Sequence, residues 1–246
     1  MSDPYFTNVV LLALNDNRAS GTTTFYDQSD YGKTLTTYGN AAWSNTTAPS
    51  GMTTSGVFDG TGDYISAPDS AEWTFGTGDF TVELFFRTST VSGNALAVGQ
   101  NVVSGYGSFL VFRNAGNLNF FSSSNNSAWD IANTQLIGAI SIDTWYHAAV
   151  TRSGTTFRAY LNGVQGSTWT SSLAPYESPD ILSIGNRDNA DYWNGYLCST
   201  RITKGVARYT GADSFTPPTL PFETPLRYSY SSLGGMILGG SSSFDN

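Results

Sequence analysis

Residues 143–166 constrain the fold more than any other part of the sequence. Apolar and polar side chains alternate there in short runs, and the runs are separated by Ser153-Gly154 and by Asn162-Gly163. This pattern predicts three β-strands joined by two tight turns. Asn and Gly both accept the positive φ values of a type I′ turn, so the second turn is the stronger hairpin signal. The segment is therefore predicted to be an antiparallel meander in the middle of a sheet.

The alternation also predicts which side chains lie in the core. Trp145 and His147 share one face of the first strand, and Phe157, Ala159 and Leu161 share one face of the second. A second alternating segment, residues 80–87, supplies the other inward-facing set. The predicted anchors of two packed sheets are Trp145, Phe157, Leu161, Phe80, Val82 and Leu84.

Strand signals continue along the chain every eight to twelve residues, by rough count, with turns between them. No substantial helix and no internal repeat is visible, and hydrophobic residues, at 39%, suffice for a sizeable core. The sequence predicts an all-β antiparallel sandwich over residues 1–222. From Phe215 the composition changes, and a Ser/Gly-rich C-terminal tail over residues 223–246 is predicted to dock on a partner.

Charge and cysteine content exclude several classes of function. The net charge is −8 and the arginines are scattered, so binding of nucleic acid through a basic groove is not expected. Cys198 is the one cysteine, which rules out a disulfide within the chain. No apolar run has membrane-spanning length, so no membrane insertion is predicted, and the N-terminal residues show no signal-peptide pattern.

Seven segments, found in one order between residues 8 and 222, carry a resemblance to a known family. They are Asn8-Val-Val-Leu-Leu, Thr24-Phe-Tyr-Asp-Gln-Ser, Phe58-Asp-Gly-Thr-Gly-Asp-Tyr-Ile, the stretch 68–83, Trp145-Tyr-His-Ala-Ala-Val-Thr-Arg, Leu182-Ser-Ile-Gly, and residues 195–210 with the Phe215-Thr-Pro-Pro-Thr ending. The chain resembles the concanavalin A-like, laminin-G-type jelly-roll domains of bacteriophage virion proteins and bacterial surface proteins. Gly-Asp-Phe-Thr-Val-Glu at 78–83 and Lys-Gly-Val-Ala-Arg-Tyr-Thr at 204–210 carry the phage character.

The resemblance implies a concanavalin A-like jelly roll without fixing the function, since the family includes lectins, adhesion modules, glycanases and structural modules. Glycan-cleaving relatives carry paired carboxylates along one strand. Here Glu83 stands alone between Val82 and Leu84, His147 fits a packed core position, and Cys198 fits a buried inert thiol. No catalytic residue is therefore predicted.

Calcium is the one metal that the resemblance suggests. Related domains bind Ca²⁺ between an early acidic turn, matched here by Asp27, Asp30 and the carbonyl of Tyr31, and an acid on the last strand. That last position falls on Cys198, whose thiol is a poor calcium ligand. The alternative is that the turn aspartates bind their own backbone. No other cofactor is predicted.

A sugar site would need exposed aromatic rings beside amide or carboxylate groups. Such residues cluster in two loop regions, and the alternative is that these aromatic rings belong to the core. The candidates are Trp129, Asp130, Asp188, Asn189, Tyr192 and Trp193.

The leading hypothesis from the sequence is a non-enzymatic protein on the exterior of a virion, decorating a phage capsid or associated with its tail. Its expected partners are other virion proteins, copies of itself and a host surface glycan. A bacterial lectin-like carbohydrate-binding module is the alternative, and an unrecognised glycan hydrolase is the third reading.

The tail contains apolar residues that a partner could bury. Alone, they offer too little apolar surface to offset the entropy of ordering the chain. The alternative is a tail that folds back on its own sandwich. The residues predicted to dock on a partner are Tyr228, Tyr230, Leu233, Met236, Ile237 and Leu238.

Overall fold

A computed structural model describes residues 3–100, 105–211 and 214–224. Over these residues the chain forms strands connected by turns, with two short 3₁₀ segments, Phe6–Asn8 and Ala71–Trp73. No helix in the described ranges is long and apolar enough to cross a membrane. The strands are β1 (Val9–Ala13), β2 (Thr36–Tyr38), β3 (Ala42–Ser44), β4 (Ser55–Asp59), β5 (Tyr64–Ala67), β6 (Phe80–Thr88), β7 (Asn94–Gln100), β8 (Phe109–Asn114), β9 (Asn117–Ser122), β10 (Ala132–Ala139), β11 (Trp145–Ser153), β12 (Thr156–Leu161), β13 (Val164–Thr170), β14 (Leu182–Ile184) and β15 (Asn194–Lys204).

The strands form two antiparallel sheets packed face to face. Sheet A has the order β13-β12-β11-β6-β15-β4-β3, and β1 pairs with the second half of the long strand β15. Sheet B has the order β10-β9-β8-β7-β14-β5-β2. Strands distant in sequence are neighbours, as β6 lies between β11 and β15. This arrangement confirms the predicted all-β sandwich of the concanavalin A-like type.

The predicted meander is β11, β12 and β13, paired in sequence. Its second turn is Asn162-Gly163, with φ of 51° and 77°, as a type I′ turn requires. The first turn lies one residue later than predicted. Ser153 still pairs with Thr156, so the two turn residues are Gly154-Thr155.

The core between the sheets contains most of the predicted anchors. Phe80, Val82, Leu84 and Phe157 are fully buried there, and the partly buried Leu161 packs against the same cluster.

The prediction for Trp145 is wrong, because the opposite face of β11, with Ala148 and Val150, points into the core. Trp145 lies on the outer face of sheet A, packed against the apolar cluster on that face, and its indole N–H donates to Thr47 Oγ1 at 3.0 Å. Both faces of β11 are buried, which removes the contrast that identifies an inward face.

The outer face of sheet A is covered by the two ends of the described chain. Residues at the N-terminal end, including Phe6, and residues at the C-terminal end, including Leu220 and Phe222, form a second apolar cluster with Val9 and Leu12. The sandwich therefore has a third partial layer on this side. The outer face of sheet B carries a smaller separate cluster, made by Leu96, Leu110, Phe112 and Phe121.

Candidate functional site

A pocket of about 340 Å³ opens on the outer face of sheet B, where β5 and β14 are neighbours. Ser183 forms the floor of the pocket, because side chains alternate along β14. Leu182 and Ile184 point into the core, and Ser183 between them points outward. The loops before and after β14 supply the walls. The lining residues are Tyr64, Pro179, Asp180, Ile181, Ser183, Asn186, Asp188 and Asn189.

One wall of the pocket is aromatic. Tyr64 of β5 lies directly opposite Tyr38 of β2, and their rings stack with centroids 4.1 Å apart and planes 4° from parallel. Tyr38 is 40% exposed. Burial, with smaller contributions from Tyr38 and Tyr192, raises the pKa of Tyr64, so its phenol stays neutral near pH 7. Tyr64 therefore offers the pocket an uncharged aromatic ring that carries a hydroxyl group.

The opposite wall is a tight turn that ends in amide and carboxylate groups. Arg187 and Ala190 bridge the turn, and Asp188 and Asn189 at its tip have φ of 57° and 53°. Asp and Asn tolerate this left-handed conformation better than most residues. The side-chain amide of Asn186 donates to the carbonyl of Ala190 at 2.8 Å, which fixes the base of the turn.

Ser183 is the polar group at the pocket floor. It is only 2% exposed, and its hydroxyl forms no hydrogen bond with any residue in the described parts of the chain. A buried hydroxyl is normally hydrogen-bonded, because burial without a partner costs free energy. A hydroxyl group of a ligand, or a water molecule, can satisfy it.

The pocket is acidic. Asp180 and Asp188 line it, while the neighbouring Arg187 lies to one side with its Nε 3.6 Å from Asp188 Oδ2. The guanidinium of Arg187 also donates to the carbonyl of Gly105 at 3.2 Å and lies over the ring of Phe112.

The structure brings together only part of the predicted sugar-binding set. Asp188 and Asn189 line the pocket, and the half-buried Tyr192 lies close enough to influence the pKa of Tyr64. The structure does not support Trp193 as a sugar-binding residue. It is fully buried in the inter-sheet core and meets Phe86 edge-on at 5.7 Å, so its ring is not available to a sugar.

Trp129 and Asp130 lie in a different part of the outer face of sheet B. Trp129 packs against Phe121 and Tyr106, with centroids 5.3 and 5.1 Å away. The carboxylate of Asp130 accepts hydrogen bonds from the backbone and hydroxyl of Ser124 and from the amide of Asn125. Burial alone would raise the pKa of Asp130, but the bonds from Ser124 lower it. Trp129 and Asp130 therefore contact residues around their own loop and do not line the pocket.

The sequence did not predict Tyr64 and Ser183, which line the pocket, or Tyr38, which stacks on Tyr64. Tyr38 and Tyr64 read as ordinary strand residues, and Ser183 as the middle of a buried strand. Their common signal is pairing, since Tyr38 faces Tyr64 and Ser183 faces Ser66 across neighbouring strands. Register between strands so distant in sequence cannot be read from one chain.

Asp27 has a structural role in the early turn. Its carboxylate accepts hydrogen bonds from the backbone of Leu12, Ser29 and Lys33 at 2.8–2.9 Å and from the Ser29 hydroxyl. These donors occupy the acceptor positions that a calcium ion would need. Within the described ranges, no group of three or more His, Cys, Asp or Glu side chains is placed to share a metal. Asp30 and Tyr31, the other predicted ligands, are exposed.

Glu83 and His147 lie in a buried polar network on the outer face of sheet A. His147 Nε2 is 3.1 Å from Glu83 Oε2, and Arg201 Nη2 is 2.8 Å from Glu83 Oε1. Tyr209 donates its hydroxyl to Glu83 at 2.7 Å. Burial would raise the pKa of Glu83, but Arg201, His147 and Arg208 hold it well below its usual range. Glu83 therefore remains an ionised carboxylate that is fully engaged in ion pairs and hydrogen bonds with these neighbours.

Cys198 and the tail residues are the last positions that the sequence analysis singled out. Burial raises the pKa of the Cys198 thiol to about 12, so it is a neutral, unreactive side chain. The predicted partner-docking residues lie outside the described residues. They are Tyr228, Tyr230, Leu233, Met236, Ile237 and Leu238.

Two antiparallel sheets packed face to face, in which neighbouring strands are distant in sequence, are the architecture of a jelly-roll β-sandwich. The sequence of residues 59–207, more than half of the chain, matches the laminin-G family described as the concanavalin A-like lectin/glucanases superfamily. The protein belongs to this family. No curated protein matches the sequence.

Solved structures share the fold at low sequence identity. Domain 4 of AbnA, a GH43 extracellular arabinanase from Geobacillus stearothermophilus, in complex with arabinotriose, is 16% identical, with a TM-score of 0.57 over 72% of this chain and 84% of that domain. The binding domain of Paraclostridial Mosquitocidal Protein 1 is 14% identical, with a TM-score of 0.61 over 82% of this chain. The binding domain of Botulinum neurotoxin DC, in complex with rat synaptotagmin II, is 12% identical, with a TM-score of 0.59 over 82% of this chain. The alignments cover about half of these two binding domains, 50% of the first and 49% of the second.

Proposed function

We propose that this protein is a non-enzymatic surface protein that binds carbohydrate in the pocket beside Tyr64. The observation that carries the proposal is the ring of Tyr64, stacked on Tyr38, beside a pocket whose polar groups are hydroxyl, amide and carboxylate. Binding sites for small ligands combine an apolar wall with a few convergent polar groups. The similar arabinanase domain, solved with arabinotriose, supports the same class of ligand.

The geometry suits the two kinds of surface that a sugar ring presents. The C–H groups of one ring face carry small positive partial charges and pack on the electron-rich face of an aromatic ring. The hydroxyl groups at the ring edge both donate and accept hydrogen bonds. Asp180, Asp188 and Asn189 supply acceptors for them, and carboxylate acceptors form the stronger hydrogen bonds.

Binding to an array of bacterial and plant glycans, followed by calorimetry on the best ligand, tests the proposal. Tyr64→Ala is expected to weaken binding about five- to thirtyfold, because one aromatic contact with part of its burial contributes about 1–2 kcal/mol. Tyr26→Ala is the matched control, since Tyr26 is 49% exposed and does not line the pocket.

Trp129→Ala separates the two candidate regions. Unchanged binding in this variant supports the pocket beside Tyr64, whereas loss of binding in Trp129→Ala but not in Tyr64→Ala moves the site to the Trp129 loop. Absence of any glycan ligand contradicts the proposed function.

The proposal of a non-enzymatic role rests on the carboxylates. Glu83 is ion-paired and buried under the C-terminal segment. Asp180 and Asp188 are the carboxylates that a hydrolase would use in this pocket, so incubation with the bound polysaccharide is the direct test. No release of reducing ends is expected, and release that Asp188→Asn abolishes would make the protein a glycan hydrolase.

The exterior of a bacteriophage particle is the proposed location, with other virion proteins and copies of the chain as partners and a host glycan as the ligand. The phage-like segments at 78–83 and 204–210 support this location. The alternative is that the protein is a bacterial lectin-like carbohydrate-binding module, which would use the same pocket. Cosedimentation of the protein with intact particles through a density gradient distinguishes them, because a bacterial module would remain at the top.

A further inference from the structure

Resting on the proposed function, we infer that the pocket beside Tyr64 selects neutral saccharides and rejects glycans that carry a carboxylate, such as sialylated or uronic-acid glycans. The lining holds two carboxylates, Asp180 and Asp188, and neither lysine nor arginine is among the described residues that form it. A charged glycan would bring a third negative group into the same space.

The neighbouring cation does not remove this restriction. Arg187 is held by Asp188, by the carbonyl of Gly105 and by the ring of Phe112, so its guanidinium is directed to the side of the pocket. A ligand carboxylate would have to compete with these contacts. An arginine that recognises a carboxylate normally presents its paired N–H groups to it, and this arginine does not line the pocket.

Ser183 adds a polar group at the floor that a ligand hydroxyl can satisfy. Its buried hydroxyl has no hydrogen-bond partner in the described chain, and it can donate to and accept from a neutral hydroxyl. Beside the two carboxylates, a ligand hydroxyl can donate to Asp180 or Asp188, whereas a ligand carboxylate only accepts. The polar groups of the pocket therefore match an uncharged polyhydroxyl ligand.

The size of the expected discrimination follows from the charges. At about 4 Å and an effective dielectric constant of about 20, repulsion between two like charges weakens affinity by at least about tenfold, even after partial screening by salt. The neutral-to-acidic affinity ratio should fall as salt rises, because screening weakens repulsion more than it weakens hydrogen bonds and ring contacts.

The experiment uses the full chain and an array in which each neutral glycan stands beside its sialylated or uronic-acid counterpart. We expect a neutral-to-acidic ratio of at least about tenfold. Asp188→Asn, which keeps the shape of the side chain and removes its charge, should lower that ratio severalfold. Asp143→Asn is the matched control, since it makes the same change of net charge at an exposed residue that pairs with Arg87 and does not line the pocket.

The outcomes separate the inference from the function beneath it. Equal or preferential binding of acidic glycans that is lost in Tyr64→Ala overturns the selectivity and leaves carbohydrate binding in place. A neutral preference that Asp188→Asn does not reduce, or that Asp143→Asn reduces equally, overturns its electrostatic basis. Binding to no glycan, or binding insensitive to Tyr64→Ala, overturns the proposed function and the inference with it.

Discussion

The side chain of Glu83 joins β6 to two neighbouring strands and to the C-terminal segment. Its carboxylate contacts His147 of β11, Arg201 of β15 and Tyr209 of the C-terminal segment. Arg201 also contacts Asp3, and Arg208 contacts the same carboxylate. Removal of one partner from a buried charge pair is strongly destabilising, because the remaining charge stays buried without compensation.

We therefore expect Glu83→Gln to lower the free energy of unfolding by about 3–5 kcal/mol, since it leaves the buried Arg201 and Arg208 with Asp3 as their shared carboxylate partner. Urea denaturation followed by tryptophan fluorescence measures the change. Asp143→Asn is the control, because the exposed Asp143–Arg87 pair is worth at most about 1 kcal/mol. Equal effects of the two substitutions would contradict the role given to Glu83.

The same network predicts how stability depends on pH. The pKa of Glu83 is held below its ordinary value mainly by Arg201, against burial, and that of Glu72 is lowered to about 2 mainly by Lys33. Groups whose folded pKa is depressed stabilise the fold above their unfolded pKa and lose that contribution as the pH falls. We expect Tm to fall as the pH is lowered from about 4.5 toward 2. The decline should be smaller in Glu83→Gln, and a wild-type Tm that stays constant over this range would contradict the prediction.

The meander shows which features of an element are visible in sequence. Asn162-Gly163 gave a turn of the correct type and position because the conformation depends on those two residues alone. The facing of Trp145 was not visible, since a segment distant in sequence covers the outer face of β11. Asp188 and Asn189 could be selected from the composition of one loop. Tyr38, Tyr64 and Ser183 could not be selected, because their positions depend on pairing between strands that are distant in sequence.

Gly163 also has a tertiary role that its turn does not reveal. A Cβ atom at this position would overlap the carbonyl oxygen of Phe215, whose backbone N–H donates to the carbonyl of Gly163 at 2.9 Å. Gly154 has a similar positive φ but open space around it. Gly163→Ala should therefore lower Tm clearly more than Gly154→Ala, whose cost is about 1–2 kcal/mol from backbone strain alone. Thermal melts of both variants measure this, and equal shifts would show that the contact with Phe215 is unimportant.

Calcium is tested on the whole protein. A ligand that binds only the folded state stabilises it by mass action and therefore raises Tm. Because four hydrogen bonds already occupy the carboxylate of Asp27, we expect excess chelator to leave Tm unchanged. A fall in Tm that Ca²⁺ reverses and that Asp27→Asn prevents would establish a calcium site.

The tail is predicted to serve assembly rather than folding. Phe222 is the last residue with extensive contacts in the described chain, since its backbone is bonded to Asn15 and its ring lies 3.7 Å from the guanidinium of Arg201. Deletion of residues 223–246 should therefore leave Tm nearly unchanged while abolishing self-association or joining to particles. Calorimetry and light scattering measure the two effects. Unchanged assembly, or a truncated chain that does not fold, would contradict the prediction.

The covered face of sheet A determines how the protein can be mounted. The described chain starts at Asp3 and ends at Thr224 on this side, where Asp3 and Phe222 both contact Arg201. The pocket beside Tyr64 opens on the outer face of the other sheet. A support attached at Thr224 would therefore meet the molecule on the side of sheet A and leave the pocket facing the surrounding solution. A sensor chip coupled at this position should consequently retain full ligand capacity.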